Sequence, residues 1–111
     1  MGERTFLSEF EHLILAAALR LRQQAYGAAL MREIEERTGR RVQAGTVYLT
    51  VQRLEEKGLV ACTLGEPDET RGGRPKRYVT PTAAGVRALA AHRDALLGLW
   101  DGLEAQLEKI R

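Results

Sequence analysis

From Gly45 to Val60 the chain reads GTVYLTVQRLEEKGLV, a stretch whose polar residues are suited to recognition. Val47, Val51 and Leu54 recur at i, i+4 and i+7, one narrow apolar stripe of a helix. At about 100° per residue, Thr46, Leu49, Gln52 and Arg53 fall on the opposite face, with Tyr48 and Thr50 on its flanks. Hydroxyls, an amide and a guanidinium on one face can donate to and accept from a partner's polar edge, and Leu49 adds an apolar contact. A second stretch, Arg71-Gly72-Gly73-Arg74-Pro75-Lys76-Arg77, holds four positive charges and no negative one. Its two glycines let backbone approach a partner closely. Arg40 and Arg41 stand just ahead of the first stretch, placed either to clamp phosphates or simply to be solvated. The acids Glu66, Asp68 and Glu69 sit on the other arm of the basic loop and dilute its charge.

The elements that must position these residues follow from the rest of the pattern. Phe6 to Arg22 reads as a helix with Ser8 and nearby acids at its start; Phe10, Leu13, Ile14, Ala17 and Leu21 share one face. Leu7, Leu15 and Ala18 widen that face beyond what a lone surface helix requires, as expected of a buried helix or one that also meets a second subunit. Gln23 to Tyr26 is a polar connector. Ala28 to Thr38 is a second helix with Leu30, Met31 and Ile34 inward and Gly39 as its cap. Lys57-Gly58 stops the third helix. Leu59 to Leu64 and Arg77 to Thr80 then read as a strand and its return, joined by the basic loop. Helix, tight turn and strand in this order make a winged helix-turn-helix, with the loop as its wing. The fold class expected is mainly α with a small β-hairpin.

Pro81-Thr82 opens a last helix that is expected to run to the C-terminus. Val86, Leu89, Arg93, Leu96, Trp100, Leu103, Leu107 and Ile110 alternate spacings of three and four, a heptad series that only Arg93 interrupts. So long a helix has no second half of the chain to pack against lengthwise, and it is expected to pair with its own copy through Leu89, Leu96, Trp100, Leu103 and Leu107. The division expected is a winged helix-turn-helix over residues 1–80 and a dimerisation helix over residues 81–111. Trp100, the single tryptophan, is either a packed interface aromatic or a wall for a planar aromatic effector at the dimer centre. Arg93, one heptad earlier, reads as a snorkelling rim residue.

The remaining composition excludes more than it asserts. At 111 residues the chain is expected to be one modest-cored unit, and its net charge of +2 makes the placement of charge more telling than the total. Cys62 cannot form an internal disulfide, which suits a cytoplasmic protein and the role of a small apolar strand residue. Leu13 to Leu19 is too short to span a bilayer. His12 and His92 lie far apart in sequence without Cys, Asp or Glu at metal spacing, Ser8 lacks a base, and no glycine-rich phosphate loop follows a strand. Neither metal, cofactor nor catalysis is expected.

Tyr26-Gly27, the block from Gly45 to Val60, and the wing GEPDETRGGRPKRYVTPTAAG together resemble the PadR family of bacterial transcriptional regulators, over roughly Leu13 to Leu89. The specific parts are Gly45-Thr46-Val47-Tyr48 through Gly58-Leu59, and Tyr78 followed by Thr82-Ala83-Ala84-Gly85. Leu49-Thr50 departs from the proline-threonine of many relatives, which alters how the first turn meets DNA. The short C-terminal part resembles the compact members with a single dimerisation helix. The resemblance implies a homodimeric repressor on double-stranded DNA. In that setting Gln43, Thr46, Leu49, Thr50 and Gln52 face base edges, with Arg53 beside them. Tyr48 meets a phosphate, and Arg71, Gly72, Gly73, Arg74, Lys76 and Arg77 lie along the minor groove. The competing expectation is a winged-helix protein-interaction module without DNA binding, for which the exposed Leu49 is the best argument.

Overall fold

Ser8 begins the first helix by a reciprocal cap: its Oγ accepts from the Glu11 backbone N–H at 3.2 Å, and its own N–H donates to Glu11 Oε1 at 2.8 Å. In this computed structural model, which describes residues 6–111, helix α1 spans Glu9–Leu21, α2 Gly27–Thr38 and α3 Ala44–Glu56. Strands β1 (Val60–Leu64) and β2 (Arg77–Pro81) follow, then α4 (Ala83–Trp100) and α5 (Glu104–Ile110). Gly39 caps α2 at φ 74°, a left-handed value that glycine takes without a Cβ penalty.

The core lies where α1, α2 and α3 meet beneath the hairpin. Ile14, Leu15, Leu30 and Leu54 are its largest fully buried side chains, joined by Val47, Val51, Leu59, Val60 and Val79. Glu11 is buried among them, yet not unpartnered: Lys57 Nζ donates to its Oε2 at 2.7 Å. Burial pushes the Glu11 carboxyl up, but Lys57 and the Ser8 N–H outweigh it and hold the group below its ordinary value. One ion pair thus ties the start of α1 to the end of α3.

The hairpin is antiparallel with Val60 opposite Pro81, Cys62 opposite Val79 and Leu64 opposite Arg77. It has a third participant that the sequence pattern conceals. The Val79 N–H donates to Ala25 O at 2.8 Å, and Tyr26 bridges to Tyr78, so the polar connector after α1 acts as a short third strand. Cys62 is half-buried, and burial pushes its thiol up, as for a small apolar strand residue.

Thr82 ties the last helix to the turn after α3. Its backbone N–H donates to Leu59 O at 3.0 Å and its hydroxyl to Gly58 O at 2.7 Å, while Oγ1 accepts from the Gly85 N–H at 3.1 Å as the N-cap. Two expectations need correction here. The terminal helix is not continuous: α4 stops at Trp100, Gly102 turns left-handed at φ 84°, and α5 resumes at Glu104. Asp101-Gly102 is a turn pair whose local conformational preference outweighs the heptad series running through it. Leu89 is half-buried and packs against the protein's own core rather than standing free for a partner. Leu96, Trp100, Leu103 and Leu107 remain exposed, as do Leu97, Leu99 and Ile110.

A Cβ on Gly85 would stand 2.0 Å from Leu59 O, a backbone atom with little room to retreat. Gly85→Ala is therefore expected to destabilise the fold by about 1–3 kcal/mol through overpacking. The check is a urea titration, with a lower midpoint at unchanged slope.

Candidate nucleic-acid interface

Val47, Thr50, Val51 and Leu54 form the inward face of α3. Gln43, Tyr48, Leu49, Gln52 and Arg53 stand outward, with Tyr48 57% and Leu49 51% exposed. Thr46 is half-buried. Thr50 is a correction: it is only 4% exposed, and its hydroxyl donates to Thr46 O at 2.7 Å within the helix. Position 50 lies three residues after Val47 and four before Leu54, which puts any side chain there on the buried stripe whatever its polarity. Its hydroxyl is satisfied by its own helix and is not offered to a partner.

The wing is built around Asp68. Its Oδ1 accepts from the Thr70 hydroxyl at 2.7 Å and the Thr70 N–H at 3.1 Å, and Oδ2 lies 3.6 Å from Lys76 Nζ. The Thr70 hydroxyl above all, with the Lys76 charge, holds the Asp68 carboxyl below its usual value. Gly72 and Gly73 follow at φ 68° and 85°, and the Gly73 N–H returns to Asp68 O at 2.9 Å. Two successive left-handed residues require glycine, which explains the pair better than close approach to a partner does. Arg71 Nη1 donates to Pro75 O at 2.7 Å and Arg74 Nε to Arg71 O at 3.1 Å, so both exposed guanidiniums rest on backbone carbonyls.

The other cations are engaged to differing degrees. Arg77 Nη2 donates to Glu55 Oε1 at 2.7 Å and its guanidinium lies 5.9 Å from the Tyr48 ring, joining wing to α3. Lys76 sits 4.5 Å over the Tyr26 ring, which in turn meets Tyr78 edge-on at 5.9 Å. Arg40 is drawn back onto α1, paired with Glu9 and stacked over Phe10. Arg41 is held only by a 3.7 Å contact with Glu35 at 88% exposure, and Arg53 has no ion-pair partner among the described residues. Between α2, α3 and the wing an open cleft of about 580 Å³ is lined by apolar Leu30, Val47, Val51 and Val79 and by Tyr26, Tyr48, Arg71, Lys76 and Arg77.

Sequence reasoning therefore missed the roles of Tyr26, Glu55 and Asp68, the residues that orient the wing cations. Tyr26 is legible as the end of a connector and as part of the Tyr26-Gly27 pair, neither of which places it beside Lys76, and no local spacing pairs Glu55 with Arg77. It also set His12 and His92 apart, whereas their rings touch. Among the described residues no group of three or more His, Cys, Asp or Glu could hold a metal ion, and no helix is long and apolar enough to cross a membrane.

Residues 14–91 match the model of the transcriptional regulator PadR-like family. Transcriptional regulator Rv3488 of Mycobacterium tuberculosis is 40% identical over 73 residues, a stretch covering 66% of this chain and 64% of that protein. The crystal structure of a PadR family transcriptional regulator from Eggerthella lenta superposes with a TM-score of 0.68 at 30% identity, covering 90% of this chain and 87% of that one. A PadR family regulator from Clostridium difficile shares the fold with a TM-score of 0.71 at 22% identity, over 90% and 99% of the two chains.

Removing the wing's hub should loosen the wing without unfolding the protein. Asp68→Ala is expected to speed tryptic cleavage after Arg71 several-fold, while the Arg74–Pro75 bond stays resistant in both proteins. The global unfolding midpoint should move by no more than about 0.5 kcal/mol, the ordinary scale of a surface substitution.

Proposed function

The chain belongs to the PadR-like family of transcriptional regulators, and from that premise we propose that it is a homodimeric repressor binding an inverted-repeat operator in double-stranded DNA. The observation that carries the reading is the outward face of α3, where the Gln43, Gln52 and Arg53 side chains have no hydrogen-bond or ion-pair partner among the described residues, set beside a wing with four cations. Gln52 suits a bidentate contact with adenine, Leu49 a thymine methyl, and Gln43, Thr46 and Arg53 the neighbouring base edges and sugars. Tyr48 and Arg41 face phosphates. Arg71 and Arg74 enter or line the adjacent minor groove, with Gly72 and Gly73 at the tip and Lys76 and Arg77 along the backbone. The ion pairs of Lys76, Arg77 and Arg40 are surface pairs, and phosphates can replace their carboxylates at small cost.

Dimerisation is supported by shape and by exposed apolar surface. The radius of gyration is 16.0 Å, against about 13 Å for a compact chain of this size. Leu96 and Trp100 on α4, Leu103 in the turn and Leu107 on α5 are 38–44% exposed, apolar surface that a second copy would cover. Two-fold pairing would present two α3 helices to successive major grooves, ~34 Å apart. Trp100 at that interface is also where a planar aromatic effector could stack and alter the spacing of the reading heads. The protein would act on DNA in the cytoplasm.

Selection of random duplex DNA by the purified protein at near-physiological salt should enrich an inverted repeat with half-sites about one turn apart. Failure to enrich any sequence, from a folded dimer, would favour a protein-interaction module, the reading that the adjacent exposed Tyr48 and Leu49 support. On the selected operator, Arg74→Ala should weaken binding to all sequences alike and reduce the salt slope by roughly one unit. Gln52→Ala should instead change preference at one base pair, by about 1–3 kcal/mol. Titration with aromatic compounds, followed by quenching of the Trp100 emission, tests the effector role.

A further inference from the structure

His12 on α1 and His92 on α4 are the chain's two histidines, and their Nδ1 atoms lie 2.6 Å apart across 80 positions of sequence. Their ring centroids are 4.8 Å apart with planes tilted by 57°, and both residues are half-buried. A contact this short between two nitrogens holds only as a hydrogen bond: one ring donates its Nδ1–H and the other accepts with a bare Nδ1. One added proton can go to the free Nε2 of the donating ring and leave that bond in place. A second proton must take the accepting Nδ1 itself. Two imidazolium N–H groups then face each other, and the contact breaks.

The surroundings do not compensate two charges. On α1, Glu11 is engaged by Lys57 and the Ser8 N–H, and Glu9 by Arg40. On α4, Asp94 is engaged by its neighbour Arg93. Lys57, at the end of α3, and Arg87 share a surface cleft with His92 and with Asp94, so two cations stand there against one carboxylate that Arg93 already engages. Among the described residues no carboxylate pairs with either ring. A shared metal ion is also a poor fit: no third ligand accompanies the pair, and two nitrogens on one zinc, each about 2.0–2.1 Å from it, need a wider separation.

We propose that the His12–His92 contact is a proton-sensitive latch between α1 and α4, closed at neutral pH and opened in mildly acid solution by the second proton. Burial, and then the charge of His92, lower the pKa of His12 from 6.5. The sign follows: the latch contributes its full stability above the ordinary imidazole value, where the unfolded chain is also neutral. That contribution is lost as pH falls through the lower folded value. Opening removes one tie between α1 and the middle of α4, the helix that leads to the exposed apolar residues, while Thr82 still holds the start of α4 at Gly58 and Leu59. The consequence for DNA rests on the dimeric-regulator reading; the latch itself does not.

The test is a pH titration of the full chain, with chelator present, following the histidine ring resonances and the urea midpoint. The wild type should show two coupled steps, the second well below the first, and a midpoint that falls between pH 7.5 and 5.5. His12→Asn and His92→Asn, which keep an amide near the Nδ1 position, should each leave one ring titrating in a single step and a flatter midpoint. If one variant does not fold, the other makes the comparison. Two independent wild-type steps at the ordinary value, or equal pH dependence in wild type and variants, would overturn the latch. On a selected operator the wild type should bind several-fold more weakly at pH 5.5 than at 7.5, and His92→Asn should lose much less over the same range. Coupled titration without DNA binding at any pH would sustain the latch and sink the regulator reading instead.

Discussion

Leu59 carbonyl oxygen is approached from two sides, by the Thr82 N–H at 3.0 Å and by Gly85, where a side chain would not fit. This close approach sets the geometry on which the remaining architecture depends. Leu59 is buried immediately after the turn that ends α3, so fixing α4 against it fixes the terminal helix relative to the outward face of α3. The Thr82 hydroxyl on Gly58 O adds a second bond across the same junction, and β2 arrives there already paired with β1. Helix α3, the hairpin and α4 are thus joined within a few residues.

At the other end of α1 the connections are electrostatic. Glu11 caps its own helix and accepts from Lys57 at the end of α3. Its carboxylate is buried, so its charge is tolerated because two donors meet it; removal of one partner would leave a desolvated charge. The exposed pairs differ in kind. Arg77–Glu55 and Lys76–Asp68 orient cations at the half-buried edge of the wing, where such pairs contribute less to stability than a buried one. The same chain therefore uses ion pairing in two ways, to hold the core rigidly together and to pre-place mobile charge on its surface.

Much of this was legible in the sequence because it depends on period and on punctuation. The valine and leucine stripe located α3 and its outward residues Leu49, Gln52 and Arg53. Lys57-Gly58 marked its end, and Thr82 with its preceding proline marked the start of α4. The basic loop between two alternating runs was readable as a wing. The errors have local causes as well: Thr50 was judged by its hydroxyl rather than its place on the stripe, and the heptad series concealed the turn at Asp101-Gly102.

What the sequence determined by itself is the order of the elements, the face of α3 that turns outward and the concentration of charge in the wing, since each follows from neighbours three to seven residues apart. Tertiary structure alone decided which charges are engaged and which elements touch. Glu55 meets Arg77 across 22 positions, Lys57 meets Glu11 across 46, and the two histidines meet across 80. No local periodicity encodes such pairs. They exist because burying the apolar stripes of three helices under a hairpin leaves few ways to arrange the backbone, and that arrangement brings distant side chains within bonding distance.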